Sequence, residues 1–412
     1  MNERNLIVGI AMDQNSAQVC YFKKDMSDAV SFEVQVGSGK VDFPVLLSWI
    51  PGTDEWYSGP EAEFFAREKN GILIDRLYDL VQHGNSVELE GRTFSAGELL
   101  ARYLLRLLKL AGVQEVALQI EAVALSFPQL TRAAVQVIRE ALGKLGLPKG
   151  KTLLLDYKEC FYYHTLYQKQ ELWARGAGLF SFRNDEVTWY KLGLNVRTRP
   201  VTVEVKEGST ITLNENTRDE QFAELIRSSI GDAFYSALFI AGAGFSQSWA
   251  KQSTALLCCK QRKVFGENAL FAKGACFAAR EKLYDQLLKG YLYVGEDMVR
   301  TNIGMDMQIK GTPAYYPLVN AGVSWYETGK ECEFLLDDTD ELVFQVSNMD
   351  TGKKTRYSMK LDGLPERPGR TTRIRLKAAY DSVGCCKIEA WDLGFGDLFP
   401  SSGLKWMENL ED

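Results

Sequence analysis

Histidine is nearly absent from this 412-residue sequence, with only His83 and His164, and none of the eight cysteines (20, 160, 258, 259, 276, 332, 385 and 386) is spaced as Cys-x-x-Cys. The nitrogen and sulfur sets that hold zinc therefore have little to draw on, and no protein-held metal is expected. Scattered thiols in a chain of this size fit a reducing compartment. Long apolar runs are also missing: nothing approaches the roughly 20 consecutive residues that cross a bilayer. The apolar run at residues 6–12 is too short for a secretory core and ends at Asp13 instead of a small-residue cleavage site. A cytoplasmic protein with no membrane partner is expected. Basic charge is in deficit, 48 Lys and Arg against 54 Asp and Glu for a net charge of −6, so no chain-wide field draws in a phosphate backbone, and nucleic acid is not an expected partner. Proline is scarce at 11 residues. No Pro/Ser linker, internal repeat or low-complexity stretch interrupts the chain.

What is present is a globular composition, 46% hydrophobic and 25% charged, in a chain long enough for two or three cores. Residues 6–10 read as a buried strand, and alternation through Val19, Tyr21, Phe32, Val34 and Val36 suggests hairpin-connected neighbours. Short strands follow at 43–47 and 56–59, then a helical turn at 61–67. Ser95-x-x-Glu98 is a capping box that opens a helix with Leu100, Tyr103, Leu104, Leu107 and Leu108 on one face. A strand-like run at 116–125 leads to a second amphipathic helix, striped by Ala134, Val137, Ile138, Ala141 and Leu142 and closed by Gly146. Strands at 152–155, 178–182 and 187–192, helices at 162–168 and 219–230, and a strand at 238–241 entering Gly242-Ala243-Gly244 continue the rhythm. A helical segment spans 269–287. From about residue 290 the pattern changes to short alternating strands with turn signals such as Asn348-Met349-Asp350-Thr351-Gly352, which sets a domain boundary there.

The order of these pieces resembles the actin/DnaK superfamily, the heat-shock chaperone ATPases in particular. Ile7-Val8-Gly9-Ile10 is similar to that family's opening phosphate strand, and Tyr57-Ser58-Gly59-Pro60-Glu61-Ala62 to the strand-to-helix segment after its first lobe. The segment from Val87 to Leu100 is the best local match. Val123-Ala124-Leu125-Ser126-Phe127-Pro128, Phe239-Ile240-Ala241-Gly242-Ala243-Gly244 and the helix from Glu267 to Ala275 follow in the family's order. The resemblance implies an α/β, actin-like (ribonuclease-H-like) two-lobed ATPase fold over residues 1–289, with lobes at about 1–175 and 176–289. It further implies a mostly antiparallel β-sandwich over 290–412, similar to a chaperone substrate-binding domain without its helical lid.

Departures from the family pattern fall where its chemistry would be. The first phosphate hairpin needs a carboxylate, Gly and Thr, so that bare N–H groups can wrap phosphate; this chain has Ala11, Met12, Asp13, Gln14 and Asn15. The second hairpin matches Ser181-Phe182-Arg183-Asn184-Asp185-Glu186, which puts bulky and acidic residues where a triphosphate would lie. Candidate catalytic residues are Asp13, Glu159 and Asp185, and candidate nucleotide-contacting residues are Gln14, Asn15, Gly242 and Gly244. The cofactor the resemblance implies is ATP or ADP with magnesium. Degraded motifs favour a pseudo-ATPase that works as a protein- or peptide-binding or scaffolding module; the alternative is an ATPase or kinase-like enzyme with a rewired site. Each feature also has a plainer reading. Asp13 suits a β-turn, Gly242 and Gly244 suit a tight strand-to-helix turn, Gly37-Ser38-Gly39-Lys40 lacks the phosphate-loop spacing, and His164 suits a satisfied, partly buried position.

Overall fold

The computed structural model describes residues 6–35, 37–231, 233–259 and 262–411. Val36, which the alternation assigns to a hairpin, lies outside them. The chain is a mixed α/β protein of two compact units, Met1–Tyr293 and Val294–Asp412.

The first unit holds two six-stranded sheets wired alike. In the first, β1 (Leu6–Met12), β2 (Ser16–Lys23) and β3 (Val30–Ser31) form an antiparallel meander, and β4 (Phe43–Pro44) adds to β2. On the far side of β1 lie two parallel strands, β5 (Ile120–Phe127) and β6 (Thr152–Asp156). The second sheet repeats the scheme with β7 (Ala177–Arg183), β8 (Glu186–Asn195) and β9 (Val201–Thr212) as the meander and β10 (Ala237–Ala241) and β11 (Lys263–Glu267) as the parallel pair. A short β12 (Tyr291–Tyr293) closes it beside β9, so the chain leaves this sheet only after residue 293.

Helices supply the crossovers that parallel strands require. Helix α1 (Ala96–Leu110) starts as the capping box predicts, with the Ser95 hydroxyl accepting from the Glu98 N–H at 3.1 Å. Helix α2 (Arg132–Lys144) is capped in the same way by Thr131. Helix α3 (Tyr157–Leu166) begins five residues earlier than the apolar pattern suggests, because the Asp156 carboxylate accepts the Glu159 N–H at 2.6 Å and so serves as its N-cap. Helix α4 (Arg218–Ile230) buries Phe222, against which Phe180 and Phe182 pack edge-on at 5.2 and 5.1 Å. Helix α5 (Leu270–Arg280) passes into a single π turn at Glu281–Asp285 instead of continuing as one regular helix to residue 287. One strand expectation also shifts: Val116–Gln119 forms a short helix before β5, and the long β9 is an element the sequence reading does not include.

The seam of this unit is a three-way contact among β1, α3 and α5. A Cβ added at Gly9 in β1 would overlap the Ala272 carbonyl oxygen of α5, and one added at Gly274 in α5 would overlap the Cys160 carbonyl oxygen of α3. Neither glycine has positive φ; both are there for space. Cys20, Cys160 and Cys276 are fully buried nearby, and burial pushes their thiols up, Cys20 to about 12. His164, also on α3, lies against Phe239 at 5.4 Å with its Nε2 4.0 Å from the Glu267 carboxylate. Its Nδ1 has no partner among the described residues, so it is buried but not fully satisfied, and burial lowers its pKa to about 3.

The second unit has two four-stranded antiparallel sheets. Strands β13 (Thr301–Ile309), β14 (Thr312–Val319), β16 (Glu341–Asn348) and β17 (Lys354–Lys360) are ordered β14-β13-β16-β17. Strands β15 (Lys330–Leu336), β18 (Thr372–Ser382), β19 (Cys385–Gly394) and β20 (Lys405–Glu411) follow one another across the other sheet. Alternate residues of β18 and β19 are buried, Ile374, Leu376 and Ala378 beside Cys386, Ile388 and Ala390, which is the period-two pattern of a sheet with one covered face. At the end of β19 the buried Asp392 takes a two-pronged ion pair from Arg367, both contacts at 2.8 Å, and also accepts the Gly394 and Ser402 N–H groups. The glycine- and aromatic-rich loop after Asp392 is thus tied to a charged pin. Among the described residues no helix is long and apolar enough to cross a membrane, and no group of three or more His, Cys, Asp or Glu is placed to hold a metal ion.

Gly274→Leu inserts four carbons into the α3–α5 contact and is expected to destabilise the first unit by about 3 kcal/mol or more; a lowered denaturant midpoint with an unchanged slope checks it. His164 supplies the second expectation. A histidine held neutral has its folded pKa below the unfolded one, so its stability contribution is complete above about pH 6.5 and falls away toward about pH 3. His164→Gln should flatten stability against pH across that window in urea titrations.

Candidate functional site

A cleft of about 230 Å³ opens where the β1–β2 turn faces the β7–β8 turn within the first unit. Its floor is an aromatic pair from the two seam helices, Tyr157 at the start of α3 and Phe271 in α5, stacked at 3.9 Å with an 11° interplanar angle. Ala11, Asp13 and Asn15 line one wall; Ser181, Arg183 and Asn184 line the other; Gly242 and Ala243 close an end. Gln18 of β2 clamps the rim, its amide donating to Asp42 at 2.8 Å and to the Asn268 carbonyl at 2.7 Å.

The first turn is built by Asp13 itself. One carboxylate oxygen accepts the Asn15 N–H at 2.8 Å and the Ser16 N–H at 2.9 Å, the Asx arrangement that lets an aspartate stand in for turn backbone. Burial raises the Asp13 pKa; those two hydrogen bonds and the Arg183 charge oppose the shift without cancelling it. In the second turn, Asn184 takes positive φ (56°) and Arg183 pairs with Glu186 at 2.6 Å. The Phe182 ring is turned into the core beside the second sheet, 2% exposed, against Phe222 and Phe245. Phe182 therefore borders the cleft with nearly all of its ring given to the core, and the charged lining of the cleft is Asp13 and Asp42 against Arg183.

The sequence candidates separate clearly. Asp13, Asn15 and Gly242 line the cleft. Gln14 is exposed at the tip of the first turn and is not among the lining residues. Glu159 is buried in the first turn of α3, and Asp185 is exposed at the second turn, where its carbonyl accepts the Leu213 N–H; neither lines the cleft. Gly242 and Gly244 have φ of 86° and 120°, and a Cβ on either would overlap a carbonyl oxygen of the second turn, Phe182 for one and Asn184 for the other. The Asn184 N–H also donates to the Ala243 carbonyl at 3.0 Å. Close packing of loop on turn thus requires both glycines whether or not a ligand is bound. Tyr157, Phe271, Gln18 and Asp42 are lining or rim residues that the sequence reading omits. An aromatic near the start of each helix that follows a last parallel strand was the available signal for the first two; Asp42 carries none.

A family model matches residues 28–296, and its description is Family of unknown function (DUF5716) C-terminal. The chain belongs to this family. The DUF5716 match includes Tyr157, Arg183, Gly242 and Phe271 and begins after Asp13. A second model, Domain of unknown function (DUF8552), matches residues 298–411. No curated protein matches the sequence. Among solved structures, a non-polymerising mutant of MamK bound to AMPPNP is similar at 12% identity and a TM-score of 0.40, over 68% of this chain and 100% of that one.

Because burial raises the Asp13 pKa, its folded-state contribution is most favourable below the ordinary aspartate range and is lost as pH rises through the raised value. Asp13→Asn keeps a side-chain oxygen for the turn and carries no charge. It should therefore raise the thermal midpoint at pH 7 and leave it unchanged at pH 3, read by differential scanning fluorimetry.

Proposed function

We propose that the first unit is an actin-like, ribonuclease-H-like two-lobed module with lobes at about 1–175 and 176–289, followed by a β-sandwich. Its phosphate cleft no longer hydrolyses ATP, and the protein works as a protein- or peptide-binding scaffold. The duplicated wiring of the two sheets, each a three-strand meander extended by two parallel strands, supports the two-lobed reading. The observation that carries the loss of hydrolysis is the cleft itself. At about 230 Å³ it lies under the roughly 300–1,000 Å³ typical of small-molecule sites. No glycine stands in either facing turn, so backbone N–H groups are not laid bare for phosphate. Of the two carboxylates that line the cleft, Asp13 spends an oxygen on its own turn and Asp42 accepts the Gln18 amide. ATP or ADP with magnesium does not fit these residues, and no catalytic step is assigned to them.

A rewired nucleotide enzyme is the competing reading, favoured by one observation: Asp13 and Arg183 face the same cleft from opposite walls. Calorimetric titration with ATP and magnesium, paired with a steady-state hydrolysis assay, separates the two. The scaffold reading expects no binding heat, no turnover and no thermal shift at millimolar ATP. Tight binding with turnover that Asp13→Ala abolishes would establish the enzyme instead.

A further inference from the structure

Strand β13 pairs with β16 only from Thr301↔Asn348 to Gly304↔Gln345, although both strands continue, β13 to Ile309 and β16 back to Glu341. The cause is local. The β13–β14 register shifts between Ile303 and Gly304, and a Cβ on Gly304 would overlap the Tyr315 ring, so β13 bulges and bends at that glycine. Beyond the bend, residues 305–309 remain bonded to β14, and residues 341–344 remain bonded to β17. Among the described residues, their facing edges have no strand between them, and the Gln345 amide bonds the Asp306 carboxylate at the fork. The space is a groove of about 700 Å³, and β15, the edge strand of the other sheet, contributes residues 332–336 to it.

We infer that this groove binds an extended peptide by strand addition, with apolar side chains at alternate positions and a basic residue at its end. Strand edges with unused N–H and C=O groups are templates for another strand, and natural sheets blunt or cover such edges. Here they are left splayed and are floored by apolar and sulfur-containing side chains: Met305, Met307, Leu335 and Val343 line the groove, the last two each 42% exposed. Methionine suits a surface that must adapt to different side chains. Charge selects the peptide's end. Of the groove's carboxylates, Glu333 is neutralised by Arg375 and Asp337 by Arg370. Asp306 and Glu341, one on each open edge, have no ion pair among the described residues, and with Lys310 as the one lining cation likewise without an ion pair among them the groove keeps an excess of negative charge. The inference deepens the peptide-binding reading above without using the nucleotide cleft, so an ATP titration and a peptide titration can fail independently.

The test is fluorescence anisotropy of the full chain with fluorescein-labelled nine-residue peptides carrying valine, leucine or methionine at alternate positions and arginine at both ends. Saturable binding is expected from at least one peptide of the set, weakening as salt is raised. Leu335→Lys and Val343→Lys, both at exposed positions, should each weaken it about tenfold or more, a loss of roughly 1.4 kcal/mol. Proline at the intervening positions removes backbone donors and should abolish it. Hydrogen exchange with the tightest peptide should slow at residues 305–309 and 341–344. No saturable binding by any peptide, binding unchanged by both lysine variants, or proline-tolerant binding without protection of those strands would overturn the inference.

Discussion

The constraint on which the first unit depends is the approach of helix α5 to its neighbours at distances that leave no room for a side chain. Gly9 and Gly274 let backbone lie on backbone where β1, α5 and α3 meet. The two sheets are joined there, and the facing β-turns above that junction are set by it. The stacked Tyr157 and Phe271 rings extend the same contact upward to become the floor of the cleft. Width, depth and accessible chemistry in the cleft therefore follow from how closely two helices pack, more than from any single polar residue.

On that frame the polar groups are mostly engaged with one another. Asp13 holds a turn, Gln18 ties the rim to Asn268, Arg183 meets Glu186, and the glycine loop is bonded to the second turn. Water and ligands compete poorly with partners that are already placed at hydrogen-bond distance. A site built this way is rigid and small. The second unit shows the opposite design: beyond the bulge at Gly304 the β13–β16 pairing stops, and the unpaired length lies open.

Legibility in the sequence varied with the kind of signal. Ser95 and Glu98 announced a helix start because capping is local chemistry, and the heptad-like leucines behind them gave its buried face. The early start of α3 was harder to see, since Asp156 caps it from the end of a strand and Tyr157 to Phe161 carries no clean apolar period. Val116 to Gln119 reads as strand by composition but is helical, a case where tertiary position overrides β-propensity. For the cleft, Asp13, Asn15 and Gly242 were readable as turn and loop residues facing a ligand position, whereas Gln14, Asp185 and Glu159 were near in sequence and not in orientation. Phe182 was legible as a residue beside the cleft, but the burial of its ring depends on a strand register that sequence does not print. Asp42 and Asn268 meet through Gln18 from segments far apart in the chain, and no local pattern foretells that.

The repeated strand order of the two six-stranded sheets leaves the residues at their facing turns free to differ. Each half offers an equivalent turn and an equivalent ring, so the frame is nearly self-matching while its chemistry is not. Asp13 sits just past one strand, and Arg183 ends its counterpart. Two sheets of the same order within one chain can carry different residues at matching turns, because neither is bound to mirror the other as identical subunits are. Opposed charges across the gap, Asp13 against Arg183, give an otherwise balanced frame a direction.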